Sequence, residues 1–303
     1  MAERKTYVLI TGIEADESRC SPGGIGHSLV NEFHRQGCHV IATVRNTDMI
    51  KDLEKPGVSV LPLEITSAKS IEECKEKVSE LTGGRLDILV NNAGRTHTIP
   101  SIDTDLDDVR QTYEVNVFGP IQMVSTFAPL LIEARGLIIN ISSTSTLVPY
   151  IFGAIYSSTK GAINVWSRAL RLELKPFNVR VMVAVTGTVR SNIASRTHRS
   201  LPPNSLYMPI NDFFQRRLTF SQRTATMPTE RYAEKLVTAA LKGEGYLGGL
   251  IGGTPDWFYA GGMATKTWIL SCLPNWVNET VIGIFFGIGG LTKKIQAARA
   301  KRD

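Results

Sequence analysis

Short apolar runs alternate with longer amphipathic stretches along the chain as far as about Gly253. The short runs predict seven strands, at Tyr7–Thr11, His39–Thr43, Ser59–Pro62, Leu86–Asn91, Leu137–Ile141, Arg180–Val185 and Gly248–Ile251. The stretches between them place apolar residues three and four apart and predict helices at Gly24–Arg35, Ser67–Leu81, Asp105–Glu133, Tyr156–Leu174 and Thr229–Leu241. This alternation is typical of a parallel sheet with helices on both faces. We therefore predict one doubly wound α/β domain of the Rossmann type, with a seven-stranded parallel sheet.

Two segments depart from this alternation. Residues 189–227 are polar and contain three prolines, and their position after the sixth strand predicts a lid over a substrate site. Residues 256–303 form an apolar and aromatic C-terminal tail with a basic end. The pattern thus divides the chain into a Rossmann-type domain over residues 1–255, with its lid at 189–227, and an extension over residues 256–303.

Composition and charge exclude several classes of protein. A hydrophobic content of 43% suffices for a large core, and the net charge is +6. Five of the basic residues lie in Thr292–Asp303, and we find no basic stripe with interleaved aromatic residues elsewhere, so nucleic-acid binding is not expected. The four cysteines form no CxxC pair, which argues against a disulfide framework and a metal site and favours a reducing compartment. The charged start of the chain does not resemble a signal peptide, so the domain is expected to face the cytosol.

A glycine-rich turn follows the first predicted strand. Thr11 and Gly12 end the strand, and Gly24, Ile25 and Gly26 open the first helix. Glycines at such a turn allow the backbone to approach a pyrophosphate, which the free amides at a helix N-terminus stabilise. The turn therefore predicts a dinucleotide site, although a glycine-rich turn without a ligand gives the same pattern.

Arg45 follows the second predicted strand, at a position where a site that prefers NAD would hold the ribose hydroxyls with an acidic side chain. An arginine there favours a 2′-phosphate, so NADP(H) is the expected cofactor. The alternative is a solvated surface arginine.

Tyr156 and Lys160 lie four residues apart at the start of a predicted helix, and thus one turn apart on the same face. A phenol with a pKa of about 10 is a poor acid–base group at neutral pH unless a nearby cation stabilises its phenolate. Lys160 is placed to be that cation. An ordinary exposed tyrosine and lysine would show the same spacing.

Several motifs occur together in the order and approximate spacing of the short-chain dehydrogenase/reductase family. They are Thr11-Gly12 with Gly24-Ile25-Gly26, Asn91-Asn92-Ala93-Gly94, Asn116 within Glu114–Val117, Ile141-Ser142-Ser143, and Tyr156 with Lys160. The resemblance covers roughly residues 5 to 253, and Cys20–Gly26 together with the apolar tail is most similar to the fungal and yeast branch that contains acyl-dihydroxyacetone-phosphate reductase.

The resemblance implies an NADPH-dependent carbonyl reductase that acts on a small-molecule ketone. Tyr156 would donate the proton, Ser143 would bind the substrate carbonyl, and Asn116 would hold a water molecule for proton relay. Lys160 would also bind the nicotinamide ribose. Asn91 and Gly94 would lie under the adenine-side ribose and the pyrophosphate. Glu64 would lie near the adenine. The resemblance further implies pairing of subunits through the helices near Asp105–Glu133 and Tyr156–Leu174.

The sequence departs from the family pattern at two places. Thr186-Gly187 replaces the usual Pro-Gly after the sixth strand, where Gly187, Thr188 and Ser191 are expected to contact the cofactor carboxamide. Seven additional residues, Ile13–Arg19, lengthen the glycine-rich turn, and three of them are acidic. We expect this insertion to bulge into solvent without contributing to cofactor binding. If it instead prevents cofactor binding, the alternative function is a non-catalytic, membrane-associated scaffold with the same fold.

The substrate and the location of the protein stay open at this stage. An acyl-dihydroxyacetone phosphate and a polycyclic ketone of secondary metabolism both suit the pattern, and Arg190, Arg196, His198 and Arg199 in the lid are candidates for binding a phosphate. Val281–Leu291 is too short to span a bilayer, which needs about 20 apolar residues, so it predicts a membrane-surface or re-entrant anchor. Packing of the tail over the substrate pocket or in a dimer interface is the alternative. The expected location is the cytosol or the cytoplasmic face of the endoplasmic reticulum or a lipid droplet.

Overall fold

A parallel sheet of seven strands forms the centre of the computed structural model, which describes residues 4–12, 24–190, 199–246 and 251–301. The strands are β1 (Tyr7–Ile10), β2 (His39–Val44), β3 (Val58–Pro62), β4 (Ile88–Asn91), β5 (Leu137–Ser143), β6 (Arg180–Thr186) and β9 (Trp257–Ala260). Their order across the sheet is β3-β2-β1-β4-β5-β6-β9, and all neighbouring pairs run parallel. The predicted doubly wound architecture and the number of strands are confirmed.

The seventh strand, however, is not the predicted one. We expected Gly248–Ile251, but β9 supplies the strand beside β6, with Val183 opposite Trp257. Ile251 instead makes an isolated antiparallel bridge with Tyr246, and Gly252 and Gly253 follow it with positive φ angles, which turn the chain. Residues 247–250 lie outside the described residues. The sheet therefore extends beyond the predicted boundary at residue 255, and the part of the extension outside the sheet begins after Ala260.

Helices cover both faces of the sheet because its strands are apolar on both sides. On one face α1 (Ile25–Arg35) and α8 (Thr229–Ala240) pack with the core, and on the other α2 (Ala68–Thr82), α4 (Gly119–Ala134) and α5 (Ala154–Leu174) do so. A short helix α3 (Leu106–Tyr113) joins α4 through a π-helical segment, Glu114–Phe118. The continuous helical stretch Leu106–Ala134 is long and apolar enough to cross a membrane, but half of its most apolar part is buried in this core.

The lid and the tail meet at the carboxyl edge of the sheet. A two-residue strand β7 (Val189–Arg190) pairs with β8 (Met227–Pro228) at the two ends of the lid. Between them lie α6 (Asn211–Leu218) and α7 (Phe220–Thr224), and the tail contributes α9 (Ala264–Ser271), α10 (Asn275–Phe285) and α11 (Ile288–Arg299). The rings of Phe213 and Phe220 pack against Phe286, so the lid and the tail form one aromatic cover.

Candidate active site

A cavity of about 250 Å³ opens at the carboxyl ends of the central strands. Doubly wound folds bind their ligands at this edge of the sheet. One part of its wall is polar and comes from the strand ends and the starts of α1 and α5: Gly12, Gly24, Ile25, Gly26, Asn92, Gly94, Ser143, Tyr156, Lys160, Gly187 and Thr188. The lid and the tail supply another part, with Arg217, Leu218, Phe220, Ser221, Met263, Thr267, Ile282, Phe285 and Phe286.

Three of the predicted catalytic residues share this wall. Ser143 ends β5, and Tyr156 and Lys160 lie one turn apart near the start of α5. Lys160 is buried, its Nζ donates a hydrogen bond of 2.8 Å to the carbonyl oxygen of Ile141, and this nitrogen lies 6.0 Å from the centre of the Tyr156 ring. The loop between β5 and α5 therefore folds back so that a hydroxyl, a phenol and an amine meet at one place.

Burial controls the protonation of these groups. It raises the pKa of Tyr156 to about 12, while a hydrogen bond with Ser143 acts in the opposite direction. It lowers the pKa of Lys160 to about 8. We expected Lys160 to lower the pKa of the phenol, but the pKa is raised, because removal of each group from water disfavours its charged form. The phenol is consequently protonated at neutral pH, as a proton donor must be.

Asn116 lies within the π-helical segment and is almost completely buried. Its Nδ2 donates to the carbonyl oxygen of Arg95 (2.9 Å) and to Oγ1 of Thr159 (3.0 Å), and its Oδ1 accepts from the amide of Arg95 (2.7 Å). A Cβ atom on Gly94 would lie 3.6 Å from both Asn116 Oδ1 and Lys160 Nζ. Asn116 thus fixes the loop that follows β4 beside the amine of Lys160.

The glycine-rich start of α1 lines the cavity as predicted. Gly24 precedes the helix without a side-chain cap, so Gly24, Ile25 and Gly26 present backbone to the cavity. Gly12 has a φ of 61°, and a Cβ atom there would lie 2.5 Å from Ala93, so the close approach of the two loops requires glycine. The insertion Ile13–Arg19 lies outside the described residues.

Two neighbouring residues make contacts that the sequence did not indicate. Thr11 is buried beneath the cavity, where its Oγ1 accepts hydrogen bonds from the amides of Asn92 and Ala93. Asn92, which we had not selected, lines the cavity and donates from Nδ2 to the carbonyl oxygens of Thr11 and Gly12. The repeated Asn-Asn after a buried strand was the available signal, since alternation along a strand places one of the two on the other side.

The side chain of Asn91 points into the sheet, away from the cavity. Its Nδ2 donates to Oδ1 of Asn140 (2.8 Å), whose Nδ2 donates to Oγ of Ser167 (2.8 Å). These bonds join β4, β5 and α5 beneath the site. Asn91 therefore supports the site through its position at the end of β4 and through these buried hydrogen bonds.

Arg45 and Glu64 lie together at the ends of β2 and β3. The Nε of Arg45 is 3.8 Å from Oε2 of Glu64, and both side chains are partly exposed. The same carboxylate accepts hydrogen bonds from the amide and the hydroxyl of Thr66. Neither Arg45 nor Glu64 lines the cavity itself; they flank it on the side of β2.

Backbone hydrogen bonds hold the turn after β6, which lacks the proline. The amide of Gly187 donates to the carbonyl oxygen of Ala260, and Thr188 and Gly262 exchange two backbone hydrogen bonds. Thr186 Oγ1 and the hydroxyl of Tyr232 are 2.6 Å apart and hydrogen-bonded. Pairing with the chain after β9 thus replaces the restriction that a proline ring would impose. Ser191 lies outside the described residues.

The lid arginines do not form a phosphate site in the described residues. Arg199 contacts Asp108, which also pairs with Arg95 and with the buried His97. Burial and the nearby Arg199 lower the pKa of His97, so it is neutral in this cluster. Arg190 is exposed, and Arg196 and His198 lie outside the described residues. Among the residues that the structure describes, the arginine that lines the cavity is Arg217, which no motif had indicated.

Comparisons with known proteins show the family to which this chain belongs. The family model for short chain dehydrogenase matches residues 8–201. The chain is 37% identical over 302 residues to the short-chain dehydrogenase fogD of Aspergillus ruber, covering 98% of each chain. It is 36% identical over 284 residues to the NADPH-dependent 1-acyldihydroxyacetone phosphate reductase of Schizosaccharomyces pombe, covering 90% of this chain and 91% of that one. A solved short-chain dehydrogenase from Streptomyces avermitilis has the same fold, with a TM-score of 0.71, 23% identity and 99% of each chain covered. The chain therefore belongs to the short-chain dehydrogenase family.

Proposed function

We propose that the protein is an NADPH-dependent carbonyl reductase that converts a lipid-like or secondary-metabolite ketone to an alcohol. The observation that carries this proposal is that Ser143, Tyr156 and Lys160 line the same cavity as the glycine-rich start of α1. Groups that handle a proton and backbone that can receive a pyrophosphate thus lie at one edge of the sheet.

The residues of the cavity fit a nicotinamide dinucleotide. The start of α1 has no side-chain cap, so its amides are available to the pyrophosphate, and Gly26 next to them is buried and without a side chain. Asn92 and Gly94 line the adjoining wall, and Gly187 and Thr188 lie at the far end beside β6. Arg45 flanks the site where a 2′-phosphate would lie, and Glu64 beside it is placed near the adenine. The reductase relative from S. pombe carries NADPH in its name, which favours the phosphorylated cofactor.

Each catalytic side chain has a distinct task in this proposal. NADPH, when bound, supplies the hydride. The phenol of Tyr156 is protonated at neutral pH, so it is available to donate a proton to the oxygen of the reduced carbonyl. Ser143 donates a hydrogen bond to the same oxygen as negative charge develops there. Lys160 holds the nicotinamide ribose, and Asn116 fixes the loop beside it and anchors the relay water.

The tail suits a peripheral association with the cytoplasmic face of an internal membrane. Its inner side covers the cavity through Ile282 and Phe286, whereas Trp276 and Ile284 are 71% and 75% exposed. Lys293 and Lys294 follow on α11, whose axis is bent by 67° from that of α10. Apolar and tryptophan side chains beside lysines suit the headgroup layer of an anionic membrane. Co-sedimentation with phosphatidylserine vesicles tests this, and the variant Trp276→Ser/Ile284→Ser should remain in the supernatant if it is right.

We also propose that the chain forms homo-oligomers through α4 and α5. Phe118, Ile121, Val165 and Leu172 are large apolar side chains exposed on this surface of the subunit. Burial of such side chains against a second copy would be favourable. Sedimentation velocity measures the mass directly, and Val165→Glu combined with Leu172→Glu should yield monomers.

A titration of NADPH into the purified chain, followed by a screen of ketones with NADPH consumption as the readout, tests the proposed reaction. Saturable NADPH binding and turnover of at least one ketone are expected. Failure to bind NADPH would favour the non-catalytic scaffold instead.

A further inference from the structure

Arg217 is a buried cation in the wall of the cavity. It lies in the last turn of α6, is 3% exposed, and lines the same cavity as Ser143 and Tyr156. The centre of its guanidinium group is 3.5 Å from the centre of the Tyr150 ring and also lies near the rings of Phe220 (5.3 Å) and Phe286 (5.6 Å). The lid and the tail thus place a positive charge within an aromatic pocket.

This cation lacks an acidic partner in the described parts of the chain. Its Nε and Nη2 atoms are buried without a hydrogen-bond partner there, and Tyr150 favours its charge, in part through a hydrogen bond. Residues 191–198, which complete the lid, are Ser-Asn-Ile-Ala-Ser-Arg-Thr-His and contain no carboxylate.

The aromatic contacts compensate only part of the cost of burying this charge. An arginine side chain remains protonated in proteins, so it cannot avoid the cost by losing its proton. Rings interact with the face of the guanidinium, whereas its N–H groups point outward in the plane and need acceptors. Buried N–H groups without acceptors are costly, and more so when they carry charge. A ligand with an anionic group would supply the acceptors and the opposite charge together.

The surroundings of Arg217 indicate what else that ligand contains. Val148, Leu218 and Ile282 make the neighbouring wall apolar. Tyr150 influences the pKa of both Tyr156 and Arg217. It therefore lies close to both the phenol and the guanidinium group. The cavity consequently offers proton-donating groups in one region, a cation in another, and apolar surface beside them.

We propose that Arg217 is the substrate-specificity residue of this enzyme and binds a carboxylate or phosphate group of an otherwise apolar ketone. This inference rests on the proposed reductase function, because the ligand is a substrate only if the protein reduces it. The preference for an anion can be measured without turnover. Arg217 contacts the substrate away from the reacting carbonyl, which remains with Ser143 and Tyr156.

Equilibrium binding of matched ligands tests the proposal. The pairs are 4-oxo-4-phenylbutanoate with its methyl ester, and 3-oxo-3-phenylpropyl phosphate with the corresponding alcohol. Each is titrated calorimetrically into the full chain, with and without NADP⁺. Wild type should bind at least one anion ten or more times more tightly than its neutral partner, and the better of the two anions identifies the group. R217M should abolish this difference and leave the affinity for the neutral ligand within about twofold.

Two further variants separate recognition from folding. R216M removes the neighbouring arginine of α6, whose side chain is exposed, and this variant should behave as wild type. R217K retains the charge without the planar fork and should keep part of the preference. The proposal is overturned if no anion is preferred by wild type, if the preference survives in R217M, or if R217M weakens the neutral ligands equally. If the chain prefers the anions but neither binds NADPH nor reduces ketones, the proposed function is overturned and the anion site at Arg217 is not.

Discussion

The floor and the cover of the cavity are built in different ways. The floor consists of the ends of β4, β5 and β6 with the start of α5. A ladder of hydrogen bonds from Asn91 through Asn140 to Ser167 joins these elements, although Oδ1 of Asn91 has no partner in the described residues. The cover consists of α6, α7 and α10, with packed aromatic rings around the incompletely paired Arg217. A floor joined by such a ladder holds its side chains in place for one reaction, whereas a cover of rings and one cation can be adapted to different substrates.

The largest effect is expected at the floor. Tyr156→Phe removes the hydroxyl that we propose as the proton donor and leaves the ring in place, so turnover should fall by about 10²–10⁴-fold. The affinity for NADPH and the melting temperature should stay close to those of wild type. Turnover above a tenth of the wild-type value at saturating substrate would contradict the assignment of Tyr156. Tyr113→Phe, at an exposed hydroxyl that bonds Ser158, is a matched control with no expected effect on turnover.

The buried amine of Lys160 should also make the folded chain less stable than it would be with an uncharged side chain at that position. Lys160 has a pKa of about 8 in the folded chain, below the ordinary value, because burial disfavours its charge. Below pH 8 the folded chain thus bears the full cost of the charged amine, and the cost disappears as the pH rises towards the pKa of the unfolded chain. Lys160→Met should therefore raise the free energy of unfolding at pH 7 by on the order of 1–3 kcal/mol, with loss of turnover.

Urea denaturation at pH 7 and at higher pH measures this effect, and the gain should shrink above pH 8. Lys175→Met, at an exposed lysine near the end of α5, serves as the control and should change little at either pH. A variant at position 160 that is less stable than wild type at pH 7 would mean that the bond from Nζ to Ile141 outweighs the cost of the buried charge.

The floor could be predicted from the sequence because its residues obey local rules. Strands buried on both faces are continuous apolar runs, and a spacing of four residues fixes Tyr156 and Lys160 on one face of a helix. The pKa values could not be predicted in this way, since the depth of burial depends on the lid and the tail. The position of the Asn91 side chain also depends on register, because neighbouring residues of a strand face opposite sides.

Most of the cover could not be predicted from local sequence rules. β9 was missed because Trp257–Ala260 is too short and aromatic to be distinguished from the apolar tail that follows it, and its pairing with β6 is a long-range contact. Arg217 stands next to Arg216 in the sequence, and only the packing of α6 shows that one is buried and the other exposed. Tertiary contacts rather than periodicity thus determine which residues of the cover face the substrate.

An intermediate effect is expected from a change to the cover. Phe286→Ala removes a ring that lines the cavity and packs against Phe213 and Phe220, so KM for an apolar ketone should rise about tenfold. The affinity for NADPH should not change, because this ring lies over the substrate side. Ile284→Ala, at an exposed position of the same helix, is the control and should leave KM unchanged. Equal losses of NADPH and ketone binding in Phe286→Ala would show that the tail supports the whole fold instead of the substrate site.

The smallest effect is expected beside the cavity, at Arg45, where neither the floor nor the cover buries the side chain. Arg45→Asp should weaken NADPH binding relative to NADH, with a change in the ratio of the two dissociation constants of about fivefold. A carboxylate repels a 2′-phosphate and accepts hydrogen bonds from ribose hydroxyls, but the exposed position is screened by salt, so the change should be smaller at high ionic strength. Glu64→Gln removes the carboxylate that lies 3.8 Å from Arg45, and should shift the ratio slightly towards NADPH because the arginine no longer shares its charge. Fluorescence titrations of both cofactors give the ratio for each variant. If the ratio is the same in wild type and Arg45→Asp, the preference for NADPH does not depend on Arg45, and the segment Ile13–Arg19 becomes the place to look for the phosphate contact.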